Sequence, residues 1–300
     1  MNKNIIFVKP YLESKTWGSN HLKSFNLKLP NSHIGEAWMI SGIKGKSSQV
    51  IGSTTLDTFY HKNPSFFNNY QSKEYPLLVK LLDCNEDLSV QVHPIDKYAK
   101  AHPSVHTKNE AWYVLDAKPH ASIIYGHNAK TKNELIALSK AGKWNKLLRE
   151  IPVHSGELFY VPSGTLHALK AGLIILEVQQ ASDTTFRLYD YDRDKTDSNR
   201  KLTVKEAVDN IAIPFIKPKI RKTLDKLLTV PYFSMQLIKN SGVQQYSYPQ
   251  AQWLQCVVIN GEGSIDDINI IKGSTFLIGN NHLSFTIKGN LQIILSYIRK

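Results

Sequence analysis

The stretch Gly156-Glu-Leu-Phe-Tyr-Val-Pro162-Ser-Gly164-Thr-Leu-His167 predicts a strand, a tight turn and a second strand. The apolar run Leu158–Val161 has the composition of a buried strand. Pro162 and Gly164 are typical turn residues, because proline fixes φ and glycine accepts positive φ. His167 then re-enters a strand and is predicted to face inward. An ordinary hairpin with a core histidine would explain the turn but not the other matched positions.

Further strands are predicted on both sides of this stretch, where short runs of β-branched and aromatic residues alternate with Gly, Pro, Asn and Asp. They cover residues 5–8, 36–41, 77–82, 88–92, 111–115, 122–125, 157–161 and 173–178. Strands at this spacing indicate a mainly β protein, built as a sandwich or a barrel.

Helices are predicted in only a few places, so they decorate a β core. Capping-box patterns at residues 131–134 and 203–206 begin the two clearest helices. Apolar residues continue at helical spacing from the first box through Leu148, and the second helix extends to about Asn210. Residues 60–70 are a further candidate helix.

A second, smaller all-β unit is predicted near the C-terminus. Its strand-length runs are residues 233–238, 253–260, 268–271, 275–278, 283–287 and 291–298, with a turn at 261–263. Two prolines and a basic run place the junction within residues 213–230. The predicted domains are therefore residues 1–218 and 219–300.

The charge balance leaves the class of ligand open. The chain carries 37 Lys and Arg against 25 Asp and Glu, a formal net charge of +12, which would suit nucleic acid or an anionic small molecule. The lysines are scattered, and their densest run, residues 217–222, is short. Since neither a basic stripe nor an aromatic stacking platform is visible, we do not expect nucleic-acid binding.

The lack of a recognisable targeting signal and the spacing of the two cysteines lead us to expect a cytoplasmic protein. No apolar stretch reaches the length of a bilayer span, and the N-terminus lacks the apolar core of a signal peptide, so no membrane partner is expected. Cys84 and Cys256 lie far apart in the chain, which fits a reducing compartment.

Polar side chains on three predicted strands suggest a metal site. Alternation along one strand sends Ser89, Gln91 and His93 to the same face, although a half-exposed strand of an ordinary sandwich shows the same pattern. Glu110, at the start of another strand, and His167 favour a shared set of oxygen and nitrogen ligands. Such a set, without sulfur, suits Zn²⁺ or another first-row divalent ion and leaves room for solvent or substrate.

Two charged residues follow the histidine strand. Glu177 ends a nearly continuous apolar run, so it should be partly desolvated and needs a partner. Glu177 and Arg187 could form an ion pair with a purely structural role, which is the role of most such pairs in isolation. Beside an open metal site, the two residues become candidates for an acid/base group and an anion clamp.

These motifs carry a family resemblance. The spacing G-x5-P-x-G-x2-H resembles the second cupin motif, and the whole set resembles type I mannose-6-phosphate isomerases, especially their short bacterial form. The matching blocks are residues 17–20 with 35–41, 78–94, 108–113 and 161–193, in order. The resemblance implies a cupin (jelly-roll) β-sandwich with inserted helices. Residues 273–284 resemble a ligandless copy of the motif, which implies a cupin-like C-terminal unit with His282 at its surface.

The resemblance also implies a site and a reaction. The implied ligands of one zinc ion per chain are Gln91, His93, Glu110 and His167. The implied lining of a sugar-phosphate pocket is Lys80, Ser89, Lys108, Glu177 and Arg187. The reaction is the reversible isomerisation of D-mannose 6-phosphate and D-fructose 6-phosphate through a metal-stabilised cis-enediol.

Each residue of that pocket has a predicted role in binding or catalysis. Lys80 and Ser89 would contact the phosphate, and Arg187 would stabilise charge on the enediolate. The base that transfers the proton is left open between Glu177 and Lys108. The sequence does not fix the oligomeric state.

Two other functions are alternatives to isomerisation. A non-catalytic sugar-phosphate-sensing paralogue predicts loss of Glu177, Lys108 or Arg187, and all three are present. Another metal-dependent cupin enzyme, such as an iron oxygenase, would normally want a histidine-rich ligand set, whereas the first motif offers Gln91.

Overall fold

The fold is described for residues 4–216 and 223–300 of a computed structural model. It is built mainly of strands, as the sequence predicted. The strands are β1 (Ile5–Lys9), β2 (Tyr11–Ser19), β3 (Ile34–Ile40), β4 (Gln49–Val50), β5 (Leu77–Cys84), β6 (Val90–Val92), β7 (Glu110–Ala117), β8 (Ser122–His127), β9 (Leu148–Pro152), β10 (Leu158–Val161), β11 (His167–Leu169), β12 (Leu173–Gln180), β13 (Phe186–Tyr189), β14 (Leu228–Thr229), β15 (Ser234–Asn240), β16 (Val243–Ser247), β17 (Leu254–Ile265), β18 (Ile268–Ile271), β19 (Thr275–Ile278) and β20 (Ser284–Tyr297).

Helices are short and few in the described residues. The α-helices are α1 (Leu56–Lys62), α2 (Asp96–Ala101), α3 (Lys132–Lys140), α4 (Trp144–Leu147) and α5 (Val204–Asn210). Short 3₁₀ helices lie at His21–Phe25, Pro64–Phe67, Arg193–Lys195, Ser198–Arg200 and Asn280–His282. Among the described residues, every helix is too short or too polar to cross a bilayer.

The chain forms two compact units. The first contains residues 4–15, 19–81 and 223–300, and the second contains residues 16–18 and 82–216. The predicted boundary at residues 218 and 219, like the basic run 217–222, lies outside the described residues. The N-terminal segment was predicted to belong with residues up to 218, but it lies in the same unit as the C-terminal strands. There, β1 pairs with β19 and places Ile5 opposite Ile278. A pairing between the two ends of a chain leaves no local signal in the sequence.

The first unit contains a sheet with the order β14-β15-β20-β17-β19-β1-β4, in which β16 also pairs with β20 and β18 with β17. Two of its strands are longer than predicted. The predicted turn at 261–263 lies inside β17, near a register irregularity between Val258 and Asn260, and the runs 283–287 and 291–298 join into β20. His282, predicted to lie at the surface, has a side chain that is 25% exposed and pairs with Asp266.

The second unit is a two-layered sandwich. One layer has the strand order β13-β6-β11-β8-β9, and the other contains β10, β7 and β12 as neighbours in that order. Side chains from both layers share one core, where the rings of Tyr125 and Phe159 lie 6.0 Å apart. The outer face of the five-stranded layer is covered by apolar residues of α3, α4 and α5, including Leu135, Leu147 and Ala207.

The first predicted capping box is confirmed. Thr131 Oγ1 accepts a hydrogen bond from the backbone N–H of Glu134 at 3.2 Å, and Glu134 Oε2 accepts one from the backbone N–H of Lys130 at 2.7 Å. The helical pattern that follows is divided into α3 and α4 rather than continuous. Gly142, with a φ of +63°, lies in the connection and interrupts the helix.

The second capping box begins a helix but does not cap it. α5 starts directly after Thr203, whose side chain makes no capping hydrogen bond. Thr203 Oγ1 instead accepts a hydrogen bond from the backbone N–H of Arg187 at 2.8 Å, which ties the start of α5 to β13. The candidate helix at 60–70 is replaced by the end of α1 and the 3₁₀ helix Pro64–Phe67.

The stretch 156–167 forms β10, a turn and the start of β11. Both of its glycines, Gly156 and Gly164, have a φ of +88°. Around Gly164 the backbone is held from both sides, because its N–H donates to the His93 carbonyl and its carbonyl accepts from Ala212 N–H. A Cβ at Gly164 would lie 2.9 Å from Ile95 Cγ2, whereas a Cβ at Gly156 would meet nothing within 4 Å.

These glycines give a matched pair of substitutions. Gly156→Ala should cost only the positive φ, about 1–2 kcal/mol of unfolding free energy. Gly164→Ala should cost about 1–3 kcal/mol more, because the new methyl group crowds Ile95. Urea unfolding of both variants measures the difference, and equal losses of stability would show that the turn does not depend on this close packing.

Candidate metal centre

The predicted metal ligands lie on neighbouring elements of the second unit. Gln91 is in β6, and His93 follows the end of that strand. His167 begins β11 and lies opposite Gln91 in the register. Glu110 begins β7, in the other layer of the sandwich. The fold therefore brings these four residues together from both layers.

Three of them form a tight, buried cluster. His93 Nε2 lies 3.2 Å from Glu110 Oε2, and His167 Nε2 lies 3.3 Å from Glu110 Oε1, with each side chain 1% exposed. Ligands at zinc-binding distances in a tetrahedron are about 3.4 Å apart, so this spacing fits. In the described parts of the chain, this is the one group of three or more His, Cys, Asp or Glu side chains that could share an ion.

Backbone carbonyl groups fix the orientation of both imidazole rings. His93 Nδ1 lies 3.0 Å from the Thr184 carbonyl oxygen, and His167 Nδ1 lies 2.8 Å from the Thr165 carbonyl oxygen. Because a carbonyl oxygen only accepts, each Nδ1 carries the proton and donates it. Each Nε2 therefore presents a lone pair toward Glu110, which is the usual arrangement of histidines that bind metals.

The carboxylate of Glu110 consequently faces two lone pairs. Neither of its oxygens accepts a hydrogen bond from any described residue. The ammonium Nζ of Lys108 lies 3.2 Å from Glu110 Oε2 and 3.3 Å from His93 Nε2. Electron-rich atoms gathered in a buried place repel one another, and the single charge of Lys108 compensates only part of this repulsion. The donor set therefore fits a divalent metal ion.

Gln91 adds an amide to this donor set. Its Nε2 lies 3.5 Å from His167 Nε2, and its Oε1 accepts a hydrogen bond from Ser89 Oγ at 3.1 Å. For the amide oxygen to face an ion, the amide must turn over, and Ser89 must then accept instead of donating, which a hydroxyl can do. Ser89, predicted as a phosphate contact, is thus a hydrogen-bond partner of Gln91.

Burial and neighbouring charges set the protonation of the cluster. Burial, followed by the charge of Lys108, lowers the pKa of His93 from 6.5 to about 3, and burial also lowers the pKa of His167. Burial alone would raise the pKa of Glu110, but the positive charge of the neighbouring Lys108 outweighs it and holds that pKa well below its usual range. Neutral imidazoles and an ionised carboxylate are the forms that bind metal ions.

Glu177 lies on the same face of the sheet as Glu110. In the register of β12 and β7, Glu177 is opposite Trp112 and Gln179 is opposite Glu110, and alternate residues of a strand share a face. Trp112 Nε1 donates to Glu177 Oε2 at 2.9 Å, and its ring centroid lies 5.3 Å from that of His167. Glu177 is thus fixed in place by an indole that also contacts a metal-ligand candidate.

Arg187 lies opposite Gln91 in the five-stranded layer. Its Nε is buried and has no hydrogen-bond partner among the described residues. Burial, followed by the charge of Arg200, lowers its pKa from the usual value. The two neighbouring guanidinium groups of Arg193 and Arg200 both donate to the buried carboxylate of Asp190. Arg187 is therefore the arginine of this group whose Nε can still donate.

Lys80 belongs to the first unit, whereas the other predicted site residues belong to the second. Its Nζ lies 3.2 Å from Glu36 Oε2 and 4.6 Å from the ring centroid of Trp38. Although burial raises the pKa of Glu36, the charges of Lys80 and Lys15 outweigh it and lower that pKa to about 2. Lys80 is thus held in a buried ion pair.

Sequence reasoning missed several groups that shape this site. The carbonyl groups of Thr165 and Thr184 orient the histidines, and a carbonyl has no sequence signature. Trp112 was part of a matching block but was given no role, although an aromatic residue two positions after Glu110 must share its strand face. Asp190 lies in the matching block 161–193 and was not predicted to have a role, although it is fully buried and binds two arginines.

The fold and this site together define a cupin-type protein with a histidine and carboxylate metal-binding cluster. The family model "Phosphomannose isomerase type I, catalytic domain" matches residues 6–128, and the model "Mannose-6-phosphate isomerase, cupin domain" matches residues 223–298. A curated relative from Bacillus subtilis, the probable mannose-6-phosphate isomerase GmuF, is 39% identical, and the alignment covers 97% of this chain and 98% of the relative. The chain belongs to the type I phosphomannose isomerase family.

Solved structures agree with this assignment. The crystal structure of the mannose 6-phosphate isomerase from Bacillus subtilis is 36% identical, with a TM-score of 0.92 over 99% of this chain and 100% of that one. A zinc-bound mannose 6-phosphate isomerase structure has the same fold, with a TM-score of 0.78 at 15% identity over 99% and 100% of the two chains. The cupin fold that the sequence motif implied is confirmed.

The lowered pKa of His93 predicts how acid affects the metal-stripped protein. Between pH 6.5 and about 3, the unfolded chain binds a proton at His93 that the folded chain does not, so stability falls as the pH falls. Each such proton contributes a slope of up to about 1.4 kcal/mol per pH unit. His93→Gln should therefore show a shallower loss of unfolding free energy between pH 6.5 and 4.5. Parallel curves would contradict the prediction.

Proposed function

We propose that this chain catalyses the reversible isomerisation of D-mannose 6-phosphate and D-fructose 6-phosphate, with one zinc ion held by Gln91, His93, Glu110 and His167. Family membership supports the reaction. The observation that carries the metal assignment is the buried Glu110 carboxylate facing two imidazole lone pairs. Nitrogen and oxygen donors without sulfur suit Zn²⁺ in a site that stays open to substrate.

The isomerisation moves one proton between adjacent carbons. A base removes the proton from C2 of the open-chain aldose, and the electron pair forms the enediolate. A proton then passes from O2 to O1, and the proton on the base returns to C1 as C2 becomes the carbonyl. When bound, the zinc ion supplies Lewis-acid stabilisation of negative charge at the substrate oxygens. The chain's own residues must provide the base, a second positive charge and the binding of the phosphate.

Two residues stay candidates for the base. Glu177 is 4% exposed and held by Trp112, so its carboxylate is fixed at one position on the face that carries Glu110. Lys108 contacts Glu110 and His93, which places its ammonium directly at the ligand cluster. We favour Glu177 as the base, because its carboxylate is an acceptor, whereas the Lys108 ammonium is suited to donate to a substrate oxygen.

Arg187 supplies the second positive charge in this proposal. A guanidinium remains protonated and can donate two parallel hydrogen bonds to an oxyanion. Its buried Nε, without a partner among the described residues, is suited to that role. Lys80 and Ser89 stay the proposed phosphate contacts.

Metal removal tests the proposal as a whole. Exhaustive chelation should abolish conversion of mannose 6-phosphate to fructose 6-phosphate, and added Zn²⁺ should restore it, in a coupled assay with metal analysis of the same sample. The purified enzyme should contain one zinc ion per chain. Full activity in a protein stripped of metal would refute the proposed site.

Arg187→Ala tests the charge at the substrate. Loss of one donor to a developing oxyanion typically lowers kcat by about 10²–10³-fold, so a decrease of that size is expected with zinc content unchanged. Arg149→Ala, at a partly exposed arginine that lies over the ring of Phe215, is the control and should keep its activity. Near wild-type turnover in the Arg187 variant would remove this residue from the mechanism.

Discriminating the two candidate bases needs one further comparison. Glu177→Gln keeps the shape of the side chain but removes its basicity, so kcat should fall by about 10²–10⁴-fold while KM changes little. Lys108→Met should raise KM as well as lower kcat, because it removes a donor that binds the substrate in both states. The reverse pattern would assign the base to Lys108.

A further inference from the structure

Asn109 lies between two residues of the proposed site but contributes nothing to it directly. Lys108 and Glu110 flank it, and their side chains contact the histidine cluster. The side chain of Asn109 is bonded elsewhere. Asn109 is 5% exposed, so each of its polar groups must find a partner within the protein.

The side chain and backbone of Asn109 are hydrogen-bonded to the end of β12. Its Nδ2 donates to Gln180 Oε1 at 2.8 Å, and its backbone N–H donates to the same oxygen at 3.0 Å. The backbone N–H of Gln180 donates in return to the Asn109 carbonyl at 3.1 Å. Three hydrogen bonds thus join Asn109 to one residue.

The oxygen of the Asn109 side chain is bonded to the turn that follows β10. Asn109 Oδ1 accepts from the backbone N–H of Ser163 at 3.1 Å and from Tyr160 OH at 3.1 Å. Ser163 Oγ accepts from the backbone N–H of Lys108 at 3.1 Å. This turn leads directly to His167. Asn109 therefore connects the segment that carries Glu110 to the segment that carries His167.

We propose that Asn109 is a positioning residue of the metal site, which sets the separation of Glu110 and His167 through its hydrogen bonds to Ser163 and Gln180. The inference rests on the proposed function, since it concerns the same metal ligands. The 3.3 Å between Glu110 Oε1 and His167 Nε2 leaves little tolerance for movement of either segment. Partners that orient metal ligands typically change metal affinity by about 10–100-fold when they are removed.

Zinc affinity of the metal-stripped protein tests this role. Asn109→Leu has nearly the same shape but makes no side-chain hydrogen bonds. Competition with a chromophoric chelator should show a dissociation constant for Zn²⁺ that is about 10–100-fold higher than in the wild type. At saturating zinc, kcat should also fall, because the segment that carries Lys108 loses the side-chain hydrogen bonds of Asn109 to Ser163 and Tyr160 and keeps only the bond from the Lys108 backbone N–H to Ser163.

A matched control separates positioning from general stability. Asn240 is also 5% exposed, and its side chain donates to the carbonyls of Gly242 and Gly289 and accepts from Tyr246 OH, within the first unit. Asn240→Leu should lower Tm but leave zinc affinity unchanged. Equal zinc affinity in Asn109→Leu and the wild type would overturn the inference.

A second variant keeps the test decisive if Asn109→Leu does not fold. Gln180→Leu removes the acceptor of two Asn109 hydrogen bonds at a half-buried position, and it should weaken zinc binding in the same direction. Wild-type zinc affinity in that variant would also overturn the inference. A wild-type protein that binds no zinc would instead overturn the proposed function.

Discussion

A buried carboxylate that faces the lone pairs of two neutral imidazoles is the constraint on which the second unit depends. Glu110 is 1% exposed, and no described residue donates a hydrogen bond to it. Desolvating such a group costs several kcal/mol unless a cation compensates it. The ammonium of Lys108 supplies part of that compensation, and a metal ion of the kind proposed here would supply the remainder. The metal binding proposed for this site depends on the same negative charge of Glu110, which Lys108 compensates only in part.

The sandwich architecture makes this arrangement possible. Gln91, His93 and His167 come from one layer and Glu110 from the other, so closing the sandwich brings the proposed ligands together. Precise placement comes from groups outside the set. Backbone carbonyls orient both rings, and Asn109 joins the segment before β7 to the turn after β10. A rigid support of this kind holds the proposed ligands at fixed distances from one another.

Sequence patterns predicted the local structure where local forces decide it. Runs of β-branched and aromatic residues located β6, β7, β8, β10 and β12 to within a few residues, and the first capping box located α3, but β9 and β13 were not predicted. The predictions were less accurate where distant partners intervene. Thr203 bonds to Arg187 instead of capping its helix, and the predicted turn at 261–263 lies within a long strand that pairs with β20. β1 pairs with β19 although the two strands are far apart in the sequence, because strand edges form hydrogen bonds wherever the fold brings them together.

The sequence by itself predicted a set of nitrogen and oxygen donors at Gln91, His93, Glu110 and His167, because alternation along strands sends such side chains to one face. It also carried the family resemblance. Only the tertiary structure decided which nitrogen of each histidine faces Glu110, which arginine keeps a buried donor without a partner among the described residues, and which hydrogen bonds join the segments of Glu110 and His167. These properties depend on carbonyl groups and hydrogen bonds between segments distant in the chain, and such contacts exist only once the chain has folded.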